Sequence, residues 1–318
     1  MIDLHAHSAY STGAKDTFML RQLARGRSGL QTSSSIADKG LLPQMIEAAV
    51  RKDLSAVSLT DHWTVENVEE ARLLAAAGGV SFVPGIEIGA VLELQGRDYE
   101  VHLLGYYYSA ADPDLQQLCR DARETCARGA LAFLNGLKSQ SIHLTREDVD
   151  RDYPGQFSSW AIRRMLVHRG LAADKWEATR IQQRAVAHTL AHGVGQGLQP
   201  GVLHAGDIVR TLHRAGASVF MAHPFWLTRP DMGGLPEPLI WQQIQALLDL
   251  GVDGIEAYYP TPEPSQGQQL LAFCQEHQLP VCGGSDSHNA RALAQAPGIP
   301  DQALDTILRH RRGLQPWS

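Results

Sequence analysis

The chain opens Met1-Ile2-Asp3-Leu4-His5-Ala6-His7. Alternating Ile2 and Leu4 predict a short buried strand, and His5 and His7 end it. Side chains two apart on a strand leave it on the same side, so the two imidazoles are rooted about 6–7 Å apart. That spacing suits two ligands of one metal ion. A lone His-x-His is weak, because histidines also pack in cores or lie on surfaces. Here, however, ligand-type residues recur at strand-like ends, in Thr60-Asp61-His62, Ala222-His223-Pro224 and Asp286-Ser287-His288. Glu87 and His102 lie on neighbouring strand-like segments. Imidazole nitrogen with carboxylate oxygen, and no thiolate, suits zinc, manganese or iron. The candidates outnumber what one tetrahedral ion needs, and a carboxylate such as Glu87 could bridge two ions. Clustered ions lower the pKa of a bound water to give hydroxide, and clamp both oxygens of a phosphoryl transfer.

Each residue also has a plainer explanation. Taken alone, His102 is a packed strand histidine, Asp286 a turn residue, and Asp61 a helix cap or turn acid. Glu87, in Gly-Ile-Glu-Ile, is harder to dismiss, because a carboxylate in a buried strand needs a partner. The other histidines, His143, His168, His188, His192, His204, His213, His277 and His310, fall in helical or linker stretches and are read as structural.

The elements that must position these residues alternate. Helical spacing covers 42–54 and 65–77, with strands at 55–59, 80–83, 86–94 and 99–107, the last two joined by a turn at 95–98. A short helix is expected around Phe18 to Leu23, and a Gly/Ser-rich loop at 26–35. That loop, with Arg21, Arg25 and Arg27, reads as a basic lid over the site or as an exposed linker. From 112 to 199 the pattern is helical: a long helix to Lys138, then 146–152, 159–169 and 174–191. Alternation resumes with helices near 205–215, 237–250, 264–277 and 301–311, and strands at 217–221, 252–257 and 279–282. The expected organisation is an α/β domain from 1–109 and 200–318, with a helical insertion at 110–199. Alternating strands and helices predict a mainly parallel sheet. If it closes into a barrel, its strand ends share one face, where remote ligands meet.

Composition narrows the class. The chain has 318 residues, 44% hydrophobic and 19% charged, which is ordinary for a soluble globular protein. A net charge of −6 argues against a binder of long duplex nucleic acid or anionic membrane. No apolar run is long enough to span a bilayer, and no signal-peptide pattern opens the chain. Cys119, Cys126, Cys274 and Cys282 are widely spread and read as reduced thiols of a cytoplasmic protein.

The motifs resemble, in order, those of the PHP (polymerase and histidinol phosphatase) superfamily. The matching runs are Asp3-Leu4-His5-Ala6-His7-Ser8, Leu59-Thr60-Asp61-His62, Pro84-Gly85-Ile86-Glu87-Ile88, Val101-His102-Leu103-Leu104-Gly105, Met221-Ala222-His223-Pro224 and Gly284-Ser285-Asp286-Ser287-His288. The resemblance covers 1–109 and about 200–290. It implies a distorted (β/α)7 TIM-like barrel with up to three divalent metals, manganese, zinc or iron. His5, His7, Glu87 and Asp286 would hold the first, and Glu87, His102 and His223 the second. His62 and His288 would hold the third, with Asp61 as a supporting group or proton relay. The small-protein branch with a helical insertion is similar to phosphoesterases of nucleotides and short oligonucleotides, including removal of a phosphate from 3′,5′-bisphosphorylated nucleosides.

The chain departs from that pattern twice. Thr12 stands where the family often has an acid that helps hold the third metal. Asp38 is the preferred substitute, then Asp16. Trp160 stands where the phosphatase branch commonly has a histidine, although Arg163 remains as a candidate bidentate phosphate contact. The expected function is a metal-dependent phosphoesterase. In it, metal-activated hydroxide attacks a phosphomonoester while Asp61 or a histidine such as His62 moves protons. The alternatives are an amidohydrolase-type C–N hydrolase, for which a metal-bridging strand lysine is missing, and a metal-binding regulatory domain without catalysis.

Overall fold

The computed structural model describes residues 1–12, 40–153, 157–191, 203–229 and 234–310. The chain divides into two compact units. One contains the described residues of 1–11, 40–119 and 203–310, and the other those of 120–191.

The first unit is a mixed α/β fold with two sheets. The three-stranded sheet is parallel, in the order β1 (Ile2–Asp3), β2 (Ala56–Val57), β3 (Ser81–Phe82), with Ile2 opposite Ala56 and Ala56 opposite Ser81. The five-stranded sheet runs in chain order: β4 (Gly85–Leu94), β5 (Arg97–Tyr106), β6 (Ser218–Met221), β7 (Gly254–Tyr258), β8 (Val281–Gly283). A two-residue turn joins β4 to β5. Both its central residues, Gln95 and Gly96, have positive φ, the geometry that matches hairpin twist. The expected parallel pairing holds for four of the six strand pairs described, and this hairpin introduces the antiparallel ones. Within the five-stranded sheet β5 is antiparallel to both β4 and β6, and the β6–β7 and β7–β8 pairings are parallel. A tight hairpin reverses the chain, so no crossover helix can separate those two strands.

The helices bury the faces that their periodicity marks. Leu42–Arg51 buries Leu42, Met45, Ile46, Ala48 and Ala49. Ala205–Arg214 buries Ala205, Ile208, Val209 and Leu212, an i, i+3, i+4, i+7 stripe. Helices Glu237–Asp249 and Pro264–Glu276 follow the same βα rhythm. A second apolar cluster draws on both sheets: Ile2, Leu4, Ala56, Leu104, Tyr106, Phe220 and Cys282. Inside it the Tyr106 hydroxyl donates to the Leu4 carbonyl at 2.9 Å.

The sheets also touch through single bridges. Leu4 N–H donates to the Gly283 carbonyl, and Ala6 pairs with Ser287. His62 pairs with Glu87 at the other edge. These contacts sit at strand ends, so they bring the predicted ligand positions together. Gly284 permits one of them, since a Cβ there would lie 2.2 Å from the backbone nitrogen of His5.

The second unit is helical. Helix Pro113–Gly136 begins in the first unit and continues into the second, which adds Arg146–Asp152, Ser159–His168 and Lys175–Ala191. Ser158 and Thr145 cap two of these with side-chain oxygens. Phe133, Leu137, Val149, Tyr153, Ile162 and Leu166 fill the core. The expected helix at 18–23 and loop at 26–35 lie outside the described residues, as do Arg21, Arg25 and Arg27. All four cysteines are free thiols. No described helix is long and apolar enough to cross a membrane.

Two glycines of helix Pro113–Gly136 give opposite expectations. A Cβ on Gly136 would sit 1.9 Å from the Ala185 carbonyl oxygen, a backbone atom that cannot step aside. Gly129 has nothing within 4 Å of that position. Gly136→Ala should destabilise the protein by about 1–3 kcal/mol through overpacking. Gly129→Ala should stabilise it by up to about 1 kcal/mol through helix propensity. Scanning calorimetry of the two variants reads both signs, and equal shifts would contradict the packing.

Candidate metal centre

Six elements of the first unit deliver the site. His5 and His7 follow β1, His62 follows β2, Glu87 sits on β4 and His102 on β5. His223 follows β6, and Asp286 and His288 follow β8. The structure assembles three groups: His5, His7, Glu87 and Asp286; Glu87, His102 and His223; and His7, His62 and His288. In each group the candidate ligand atoms lie within 4.8 Å of one another.

Glu87 is the hub and is almost fully buried. Its Oε2 lies 3.3 Å from His5 Nε2, 3.0 Å from His7 Nε2 and 3.3 Å from His62 Nδ1. Its Oε1 lies 2.6 Å from His102 Nδ1 and 3.1 Å from His223 Nε2. One oxygen therefore faces the first group and the other the second. Asp286 Oδ1 adds contacts of 3.5 Å to His5 Nε2 and 3.1 Å to His7 Nε2.

Hydrogen bonds behind the rings set which nitrogen faces inward. His5 Nδ1 is 2.8 Å from Glu256 Oε1, and His7 Nδ1 is 3.0 Å from Ser11 Oγ. His288 Nδ1 donates to the Asp286 carbonyl at 2.9 Å. Ser11 Oγ gives its own proton to Asp61 Oδ1 at 2.7 Å, so it accepts from His7. Such outer partners fix the tautomer and the ring orientation of metal-binding histidines.

Charge follows from this crowding. Burial disfavours the His5 imidazolium, but Glu256, Glu87 and Asp286 outweigh it and hold its pKa well above the ordinary value. Burial likewise opposes the His7 cation, yet Asp286 and Glu87 raise its pKa to about 9. His102 is also penalised by burial and is raised by Glu87 and Glu100 to about 10. His62 goes the other way. Burial pushes it down, Glu87 does not compensate, and His7, His102 and His288 push it further. Burial would raise Glu87 and Asp286, but the surrounding imidazoles hold both below the ordinary carboxylate range.

The donor set fits divalent ions. It offers imidazole and carboxylate donors in overlapping groups that share a bridging carboxylate, without thiolate. His7 Nε2 and His62 Nδ1 are buried and make no hydrogen bond of acceptable geometry. Buried polar atoms in that state are expected where a lone pair serves a metal.

Asp61 is fully buried behind the rings. It accepts from Ser8 N–H and Ser8 Oγ, both at 2.6 Å, from Ser11 Oγ, and from Asn67 Nδ2. It ties down the turn after His7 rather than joining any of the three groups. Arg163 lies on helix Ser159–His168 of the second unit and donates to Gln182 Oε1. Trp160 packs against that unit's core, edge-on to Tyr153. Asp38 and Asp16 lie outside the described residues. Sequence reasoning missed Glu256, Ser11 and Asn67. It also missed Trp63 and Trp226, whose rings pack on His62 and His223 with centroids 5.3 and 4.6 Å away.

Comparison with known proteins agrees with this geometry. Among solved structures, the chain superposes on an assigned metal-dependent phosphoesterase of Bifidobacterium adolescentis with a TM-score of 0.68. The match has 22% identity and covers 99% of this chain and 97% of the other. The chain shares the fold of that structure. An amidohydrolase of Chromobacterium violaceum, solved with bound sulfate and no metal, shares that fold with a TM-score of 0.65, at 22% identity over 96% of each chain. Two relatives also match by sequence. A 5′-3′ exoribonuclease of Haemophilus influenzae is 22% identical over 81% of this chain and 89% of its own length. A 3′,5′-nucleoside bisphosphate phosphatase of Chromobacterium violaceum is 26% identical over 81% of this chain and 86% of its own. No family model matches the chain.

The raised histidines give a pH dependence. In metal-free protein, His7 and His102 have folded pKa values of about 9 and about 10, above the ordinary 6.5. Their stabilisation is complete below about pH 6.5 and is lost as pH rises through the folded values. The melting temperature of chelator-treated protein should fall from pH 7 to 9.5. Metal affinity should rise over the same window, because ligands must shed their protons. Thermal melts with and without chelator check both, and a chelated melt that rises with pH would contradict the assignment.

Proposed function

We propose that this chain is a metal-dependent phosphoesterase that hydrolyses a phosphomonoester of a nucleotide or short oligonucleotide. The observation that carries this reading is the division of Glu87, one oxygen toward His5 and His7 and the other toward His102 and His223. A carboxylate so placed suits a bridge between two ions. His5, His7, Glu87 and Asp286 would hold one, and Glu87, His102 and His223 another. His62 and His288, with His7 near and Asp38 as a further candidate, would hold a third. Zinc, manganese or iron bound there would supply a Lewis acid for the phosphate and for the attacking water.

The chain's own groups do the rest. His62 is held neutral in its crowded setting, which leaves a ring nitrogen lone pair for an ion. Asp61, with its oxygens occupied, keeps Ser8 and Ser11 in place and through Ser11 orients His7. The apolar cluster shared by the two sheets, together with the bridges at their edges, supports a distorted (β/α)7 barrel interrupted by a helical insertion. The names of the two relatives support a small phosphorylated nucleotide as substrate. The net charge of −6 counts against long duplexes. Free cysteines support a reducing, cytoplasmic setting. A C–N hydrolase is less well supported, because none of the described lysines, Lys52, Lys138 and Lys175, lies on a strand.

The test is hydrolysis of an aryl phosphate and of a nucleotide panel that includes 3′,5′-bisphosphates, after loading with manganese, zinc or iron. His223→Ala and Asp286→Asn should each lower kcat/KM by roughly a thousandfold or more. Several kcal/mol of charge stabilisation are lost, at about 1.4 kcal/mol per tenfold. Wild-type rates in either variant would overturn the assigned site. Tight metal binding without turnover of any phosphoester would overturn the activity and leave a binding role.

A further inference from the structure

Glu256 on β7 belongs to none of the three ligand groups, yet it reaches two of them. It is fully buried. Its Oε1 is 2.8 Å from His5 Nδ1, behind the first group. Its Oε2 accepts the backbone N–H of His223, from the second group, at 2.7 Å. His223 has φ +29 and ψ 59, a conformation that L-residues adopt only when their surroundings impose it.

We propose that Glu256 is a positioning residue that sets the tautomer of His5 for the first metal site while its other oxygen holds the backbone of His223. The inference rests on the reading of those histidines as ligands. A carboxylate accepts hydrogen bonds and does not donate them, so the proton of neutral His5 sits on Nδ1. Nε2, the atom 3.3 Å from Glu87 Oε2 and 3.5 Å from Asp286 Oδ1, is then left with its lone pair. A glutamine at 256 breaks this arrangement unequally. It has one acceptor atom and one donor atom. The His223 N–H cannot change its role, so it takes the amide oxygen. The amide NH2 then faces His5 Nδ1, and His5 must move its proton to Nε2. Glu256→Gln should therefore withdraw His5 from the first site while sparing the second.

The experiment is a zinc titration by calorimetry of the metal-stripped, full-length chain. Wild type should bind at both sites. E256Q should weaken one zinc by about 10–100-fold, the usual scale for losing an outer hydrogen-bond partner of a metal ligand, and leave the other unchanged. His5→Ala should remove the same zinc, and adding E256Q to His5→Ala should cost nothing more. Imidazole 15N NMR of the zinc-loaded wild type should show His5 protonated at Nδ1, a readout that needs no variant to fold. Unchanged binding in E256Q, a further loss in the double variant, or an Nε2 proton on His5 in wild type would each overturn the proposal. Failure of the wild type to bind zinc, manganese or iron would instead remove the metal reading beneath it.

Discussion

The structure depends on one buried carboxylate. Glu87 sits on β4 among apolar neighbours, where an unpaired charge would cost several kcal/mol. Its environment supplies five imidazoles instead, from His5, His7, His62, His102 and His223. Those residues come from β5 and from the ends of β1, β2 and β6. The requirement to satisfy Glu87 therefore coincides with the requirement to converge strand ends. Without divalent ions the imidazoles do this partly as cations, which is why His5, His7 and His102 hold their protons so firmly. With ions, the positive charge would move from the rings to the metals, and the rings would turn from donors into ligands.

The strands that deliver these groups are short. β1, β2 and β3 have two residues each, too few to align a site by ladder hydrogen bonds alone. Alignment comes from polar contacts beyond the strands. Asp3 Oδ1 accepts from His5 N–H and Ser285 N–H, joining the end of β1 to the segment after β8. Asp61 joins the turn after His7 to Asn67. Burial of these acids makes each contact expensive to lose, since a stranded donor or acceptor has no water to turn to. The site is held by a frame of buried acids, bonded to backbone N–H groups, hydroxyls and ring nitrogens.

Much of this was legible from residue types and spacing. The eight residues of the ligand groups all stood out in the sequence, and helix limits such as 42–51, 205–214 and 264–276 fall within a few residues of their periodic patterns. One feature was legible but passed over. Glu256 lies in Gly-Ile-Glu-Ala, the same setting that singled out Glu87 in Gly-Ile-Glu-Ile, and the same argument applies to it. The turn at 95–98 and the strand returning from it were read from the sequence, and the structure forms that hairpin. Ser11 and Asn67 could not have been found, because small polar residues after a motif or before a helix have many ordinary reasons to be there. Which oxygen of Glu87 meets which histidine is a tertiary fact with no trace in one strand's sequence.

Backbone strain completes the account of why the frame is so densely bonded. His223, Asp286 and Trp63 all have positive φ, at +29°, +52° and +52°. None is a glycine, and each such residue costs on the order of 1–3 kcal/mol. Each is pinned by a bond from its own amide. His223 N–H goes to Glu256, Asp286 N–H to the His5 carbonyl at 2.7 Å, and Trp63 N–H to the Glu87 carbonyl at 3.2 Å. The acceptors belong to residues that hold or carry the ligand groups. Strain at one strand end is thus held by the geometry of another, and the ends cannot relax independently. A site built this way resists the small displacements that would separate its ligands, at the cost of stability that the apolar clusters and helices of the unit must supply.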